Sequence, residues 1–85
     1  MAISVLYFAW VREAIGAGEE SVEPPEAVRN VADLICWLRE RSRGHAEALA
    51  DPARLRAALD QQFVPLDALL GNAREVAIFP PVTGG

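Results

Sequence analysis

With 85 residues the chain holds a single domain, and its 52% hydrophobic content fills one small core with apolar side chains left over. Twelve acidic residues against eight basic ones give a formal net charge of -4. Phosphate backbones need a positive footprint, so nucleic acid is not an expected partner and a basic protein surface is favoured instead.

No stretch approaches the roughly 18 apolar residues of a membrane span, so no membrane association is expected. Met1-Ala2-Ile3-Ser4 lacks the basic and apolar regions of a secretory leader, which makes a cytoplasmic location the expectation. A lone cysteine, Cys36, excludes an internal disulfide framework and any metal site built from several thiolates.

Ile3 to Val11 is an apolar run rich in β-branched and aromatic types and predicts a first strand. Gly16-Ala17-Gly18 predicts a turn, and Glu19 to Glu23 a short second strand pairing with the first and ended by Pro24-Pro25. Asn30 is a good N-cap with Asp33 in the capping-box position, and Val31, Leu34, Ile35 and Leu38 follow at helical spacing. Gly44, after the basic stretch Arg39 to Arg43, predicts the C-terminus of that helix. One further short helical piece fits His45 to Ala50, before the Asp51-Pro52 break. Leu55 to Leu59 reads as a strand, then a turn near Asp60-Gln61-Gln62 and a short strand at Phe63-Val64. Leu66 to Leu70 predicts a single helical turn, and Arg74 to Phe79 the last strand, ended by Pro80-Pro81.

This order is that of an α+β, β-grasp (ubiquitin-like) domain over residues 1–80, with residues 81–85 as an extended tail. Strand one and the last strand are expected side by side in the middle of a mixed sheet, with one main helix packed on one face. A sheet covered on one side alternates apolar-in with polar-out. Here Ile3, Val5 and Tyr7 are expected to face the helix, yet Leu6, Phe8 and Trp10 then point away from it. The last strand repeats this, with Val76 and Ile78 inward and Phe79 outward, and Phe63 is expected nearby. Aromatics on an uncovered face point to a protein interface.

The chain ends Phe79-Pro80-Pro81-Val82-Thr83-Gly84-Gly85. The prolines stop ladder pairing and favour extended backbone, so the five residues beyond Pro80 reach about 16 Å. A tail threaded through a constriction favours glycine, which has no Cβ. Its carboxylate is a poor electrophile and needs activation, for example as an acyl-adenylate. Sulfide then gives a thiocarboxylate, a nucleophile delivered at high effective concentration by docking.

The opening Val5-Leu6-Tyr7-Phe8-Ala9-Trp10-Val11-Arg12-Glu13 and the closing Glu75-Val76-Ala77-Ile78-Phe79-Pro80-Pro81-Val82-Thr83-Gly84-Gly85 resemble the small, sulfur-carrier subunits of molybdopterin synthases, and the resemblance covers essentially the whole chain. It implies that an E1-like adenylyltransferase uses ATP and Mg to adenylate Gly85, and that a sulfurtransferase then converts it to the thiocarboxylate, a C-terminal 1-thioglycine. It further implies that the tail from Pro80 to Gly84 enters the large synthase subunit, in a heterotetramer, where sulfur passes to cyclic pyranopterin monophosphate. Residues matching Phe8, Phe63 and Phe79 are implied to contact the large subunit or the activating enzyme. From the sequence itself, Leu6 is expected on the same face and Arg12, just past strand one, against an acidic residue of a partner. On this reading the chain is a sulfur-donating subunit without catalytic residues of its own and without a bound metal.

Sulfur carriers for thiamin thiazole, cysteine or thiolated tRNA share the fold and the Gly-Gly end, and Phe79-Pro80-Pro81-Val82-Thr83 argues against them. A protein modifier and a binding module with an inert tail complete the alternatives. All eight basic residues are arginine, so no lysine offers a site for isopeptide-linked self-chains. Cys36 is expected to be incidental, and His45 to lie in a loop with no partner for acid–base work.

Overall fold

The computed structural model describes residues 2–81. Five strands, β1 (Ile3–Tyr7), β2 (Glu19–Val22), β3 (Arg56–Leu59), β4 (Gln62–Val64) and β5 (Glu75–Phe79), form one sheet in the order β2-β1-β5-β3-β4. β1 and β5 run parallel in its middle, and every other pairing is antiparallel. Among the described residues there are also three α-helices, α1 (Ala9–Ile15), α2 (Val31–Leu38) and α3 (Arg43–Ala48), and one 3-10 turn at Pro52–Arg54. This is the β-grasp arrangement expected from the order of elements.

The core lies between one sheet face and α2. Ile3, Val5 and Tyr7 of β1 and Val76 and Ile78 of β5 pack with Val31, Leu34, Ile35 and Leu38, all at most 6% exposed. Those four α2 residues are the apolar stripe of the sequence, and Cys36 lies on the opposite, exposed side. The capping box is present: Asp33 N–H donates to Asn30 Oδ1 at 2.7 Å, and Asp33 Oδ2 accepts from Asn30 N–H. It satisfies donors that the first helical turn leaves orphaned and contributes about 1 kcal/mol.

Four expectations need correction. The first strand stops at Tyr7 rather than Val11, because its parallel partner runs out: Tyr7 pairs with Ile78, and Pro80 and Pro81 bring no N–H to extend the ladder. Ala9 to Ile15 instead coils into α1, burying Val11 and half-burying Trp10 and Ile15, and Gly16 closes it in the left-handed conformation at φ 89°. Trp10 is therefore not on the uncovered face; it leans on the core with the Arg54 guanidinium 5.1 Å from its ring.

Gly44 does not end the main helix, which stops at Leu38; it lies in the first turn of α3. A Cβ there would run into the Ala14 carbonyl oxygen and come within 3.2 Å of Ile15 Cα, so glycine is what lets α3 rest on α1. Leu66 to Leu70 is a turn rather than a helical turn. Its carbonyls have other work: Leu66 O accepts from Ala32 N–H and Ala68 O from Val31 N–H, capping α2 from outside. Finally, His45 is in α3 and buried, with partners.

Those partners form a polar cluster between β1, β2 and α3. Tyr7 OH donates to Glu20 Oε2 at 2.6 Å, His45 Nε2 lies 2.5 Å from the same oxygen, and Arg41 Nε is 3.5 Å from Oε1. Ser42 Oγ accepts from His45 N–H and lies 2.7 Å from Nδ1. With Glu20 ionised, His45 Nε2 carries a proton and donates it to the carboxylate. Among the described residues no buried side-chain nitrogen or oxygen lacks a partner.

The cluster makes stability depend on pH at both ends. Burial, with the hydrogen bond and charge of Glu20, pushes the Tyr7 phenol far above its ordinary value near 10. The folded chain thus holds that proton where the unfolded chain loses it. The Tyr7 contribution is level below about pH 10 and falls as pH rises further, and Tyr7→Phe should remove this slope. Burial raises the Glu20 carboxyl, but hydrogen bonds from His45 and Tyr7 with the charges of His45 and Arg41 outweigh it, so the net shift is downward. That contribution is present above the unfolded value of about 4.3 and fades as pH falls below it; urea midpoints against pH should show a shallower acid limb in Glu20→Gln. Gly44→Ala should cost about 1–3 kcal/mol in the same urea titrations, since α3 must lift off α1.

Candidate functional site

The uncovered sheet face is built by the strand register. Side chains alternate, so if Val5, Val76 and Ala57 point to the core, then Leu6, Ala77 and Ala58 point away from it. Leu6 pairs with Ala77, Ala77 with Ala58, and Ala58 with Phe63, which lays one apolar row across four strands. Phe79 follows in the next row, opposite Arg56, and Phe8 extends β1 on the same side. Further down the strands the face turns polar: Ser4 pairs with Ser21 and with Glu75. The apolar half is the half from which the chain leaves the sheet at Phe79-Pro80.

Phe63 is 83% exposed and Phe8 47% exposed, far more than aromatic side chains in a filled core. The Phe63 and Phe79 ring centroids lie 5.6 Å apart in a tilted pair. Phe8, Ala58, Gln61, Phe63, Ala77 and Phe79 line a shallow apolar depression of about 370 Å³. A contiguous apolar surface rimmed by polar groups marks a protein-docking site.

Leu6, Phe8, Phe63 and Phe79 thus come together as the sequence predicts. Arg12 joins them by a different route. It is in α1, one turn after Phe8, with its side chain against Gly18, and lines a groove of about 460 Å³ with Leu6, Phe8 and Glu19. Arg12 is exposed and supplies a guanidinium beside the aromatic patch. Pro80 and Pro81 continue directly from β5, half-buried. The expected tail residues Val82, Thr83, Gly84 and Gly85 lie outside the described residues.

The sequence reading missed Ala58 and Ala77, which floor the depression, and Gln61 on its rim. Counting back two from Phe79 identifies Ala77; Ala58 needs the β3–β5 register, which no local signal carries. Asp60 and Gln61 close the β3–β4 turn with positive φ of 48° and 72°, and Asp60 Oδ1 accepts from both Arg74 N–H and Glu75 N–H at 3.0 Å. That pair of hydrogen bonds locks the turn carrying Phe63 to the start of β5. No three His, Cys, Asp or Glu side chains among the described residues gather as a metal-ligand group. The face is built for contact, and its own chemistry is apolar.

Comparison with known proteins agrees with this architecture. The ThiS family model matches residues 5–85. The molybdopterin synthase sulfur carrier subunit of Escherichia coli (strain K12) is 41% identical, covering 98% of this chain and 99% of its own. Among solved structures, a putative molybdopterin converting factor, subunit 1, from Pyrococcus furiosus superposes with a TM-score of 0.74 at 29% identity, covering 96% and 99% of the two chains. A Helicobacter pylori chain solved as a protein–protein complex of subunits 1 and 2 of molybdopterin-converting factor shares the fold, with a TM-score of 0.65 at 21% identity over the whole of both chains. With a family model matched from Val5 to Gly85 and a relative this similar over nearly its full length, the protein belongs to the ThiS family.

Proposed function

We propose that this protein is the sulfur carrier subunit of a molybdopterin synthase. The observation that carries the reading is positional. The apolar half of the uncovered sheet face, with Phe8, Phe63 and Phe79, lies at the end of β5 from which Pro80-Pro81 leads to Gly84-Gly85. A partner that docks on those aromatics receives the tail in the same step. The full-length relatives named as molybdopterin synthase sulfur carrier subunits support the choice of pathway.

The proposed cycle uses the C-terminus as a tethered reagent. The Gly85 carboxylate attacks the α-phosphorus of Mg-bound ATP on an E1-like adenylyltransferase and releases pyrophosphate. A persulfide on the sulfurtransferase then attacks the acyl carbon and expels AMP, and a thiol cleaves the resulting acyl disulfide, leaving the thiocarboxylate on this chain and a disulfide on the donor. Docked on the large subunit, that sulfur bonds to a carbon of cyclic pyranopterin monophosphate as a carbon–oxygen bond there breaks, and hydrolysis of the resulting acyl–sulfur bond regenerates the carboxylate. This chain contributes recognition and reach: the face orients the domain, the prolines keep the tail extended, and the glycines pass a narrow entrance. Acid, base and substrate pocket belong to the partners, in a heterotetramer of two small and two large subunits.

Two measurements test this. Intact mass after incubation with the adenylyltransferase, ATP, Mg and a sulfur donor should rise by the exchange of one oxygen for sulfur, and a Gly85-deleted control should not change. No gain, with the enzymes active on another carrier, would sink the proposal. Separately, Phe63→Ala should change stability by no more than about 1 kcal/mol, because the ring is exposed, yet weaken large-subunit binding at least about tenfold, roughly 1.4 kcal/mol. Unchanged affinity would remove Phe63 from the docking face.

A further inference from the structure

Directly after the docking aromatic Phe8, Ala9 has a φ of 54°, in the left-handed region that residues bearing a Cβ rarely adopt. Such a conformation persists only where the surroundings allow no other. What holds this junction from the strand side is Tyr7, 1% exposed, with its hydroxyl on Glu20 and its ring edge-on to His45 at 5.9 Å, together with Phe8 N–H donating to Ile78 O. From the helix side it is held by α1, whose Val11 is fully buried and whose last turn presses on Gly44. Both restraints meet in α3, where Gly44 and His45 are consecutive: one seats α1, the other reaches Glu20 and Tyr7. His45 itself is 7% exposed and faces the core side, away from the docking face.

We propose that His45, through Glu20, is a positioning residue for partner docking: by clasping α3 to β2 and to Tyr7 it fixes the strained Phe8–Ala9 junction, and so the direction in which Phe8 meets the large synthase subunit. The inference rests on the reading that Phe8 belongs to the docking face. A residue that only stabilised the fold would leave the affinity of folded protein unchanged, so the proposal is separable from a purely structural role.

The test is a double-mutant cycle on the full-length chain, with dissociation constants for the large subunit measured by calorimetry where circular dichroism finds every variant folded. Phe8→Ala alone probes the docking face; unchanged affinity there overturns that reading and this inference with it. Given a weakened Phe8→Ala, His45→Ala should raise Kd about fivefold or more beside native Phe8. In the Phe8→Ala background, where the ring is already gone, it should raise Kd less than about twofold, the non-additivity expected of coupled sites. The same factor in both backgrounds, or native affinity in His45→Ala, overturns the proposal while leaving the docking face intact. Glu20→Gln, which keeps the side-chain shape, takes the place of His45→Ala in the cycle if that variant does not fold, with the same outcomes deciding.

Discussion

The parallel pairing of β1 with β5 puts the two ends of the chain side by side in the middle of the sheet, and everything else is arranged around that contact. Val5 lies opposite Val76 and Tyr7 opposite Ile78, so the best-buried residues of the first and last strands complete one another. Neither strand has this partner until the rest of the chain has been laid down, and contacts so distant in sequence are the slow part of folding such a domain. The pairing also has an upper limit. Past Phe79 the prolines withhold the N–H groups a ladder needs, so both strands leave the sheet there. β1 turns sharply into α1 and β5 runs on as the tail, and the side chains stranded at the exit are Phe8 and Phe79. The exposed aromatic face is a consequence of where the ladder ends.

The two faces of the sheet solve opposite problems. Inward, Val, Leu and Ile fill the space beneath α2 and carry the stability of a small domain, in which little apolar surface can be spared. Outward, Ala58 and Ala77 are too small to cover the sheet, while Phe63 stands almost free of it. Burying a phenylalanine is worth about 1.5–3 kcal/mol, and Phe63 leaves most of that unrealised in the isolated chain. In the proposed complex a partner recovers it on docking.

Features that depend on local chemistry were legible in the sequence. The Asn30–Asp33 box, the helical spacing from Val31 to Leu38, the turn at Asp60-Gln61 and the proline stop after Phe79 all rest on neighbours within one turn or one strand. So was the unbalanced alternation of Leu6, Phe8 and Phe79, since period two is a property of any strand. What escaped was set at a distance. Ala9 to Val11 reads as strand by composition, and only the end of its parallel partner tells it to coil. Gly44 reads as a helix stop, and only the approach of α1 explains it otherwise. His45 reads as a solitary histidine because Glu20 and Tyr7 reach it from two other elements, β2 and β1.

Glu20 shows how one such distant group specifies the fold. β2 is an edge strand of sequence Glu19-Glu20-Ser21-Val22, and Val22 alone is anchored in the core. A one-residue slip in such a strand exchanges its faces, and a strand this polar is weakly protected against slipping by hydrophobic pattern alone. Glu20 supplies the missing specificity. In the native register it meets Tyr7, His45 and Arg41 together, while Glu19 turns outward to the groove beside Arg12. Slipped one way, Ser21, too short to reach those groups, would stand in its place and leave a buried phenol and imidazole without their carboxylate. Slipped the other way, Glu19 would stand there but Ser21 would replace Val22 against the core. Unpaired buried polar groups cost more than paired ones contribute, so the cluster acts chiefly against the wrong register, and the correct one delivers Tyr7, and with it Phe8, to the end of the sheet where the tail begins.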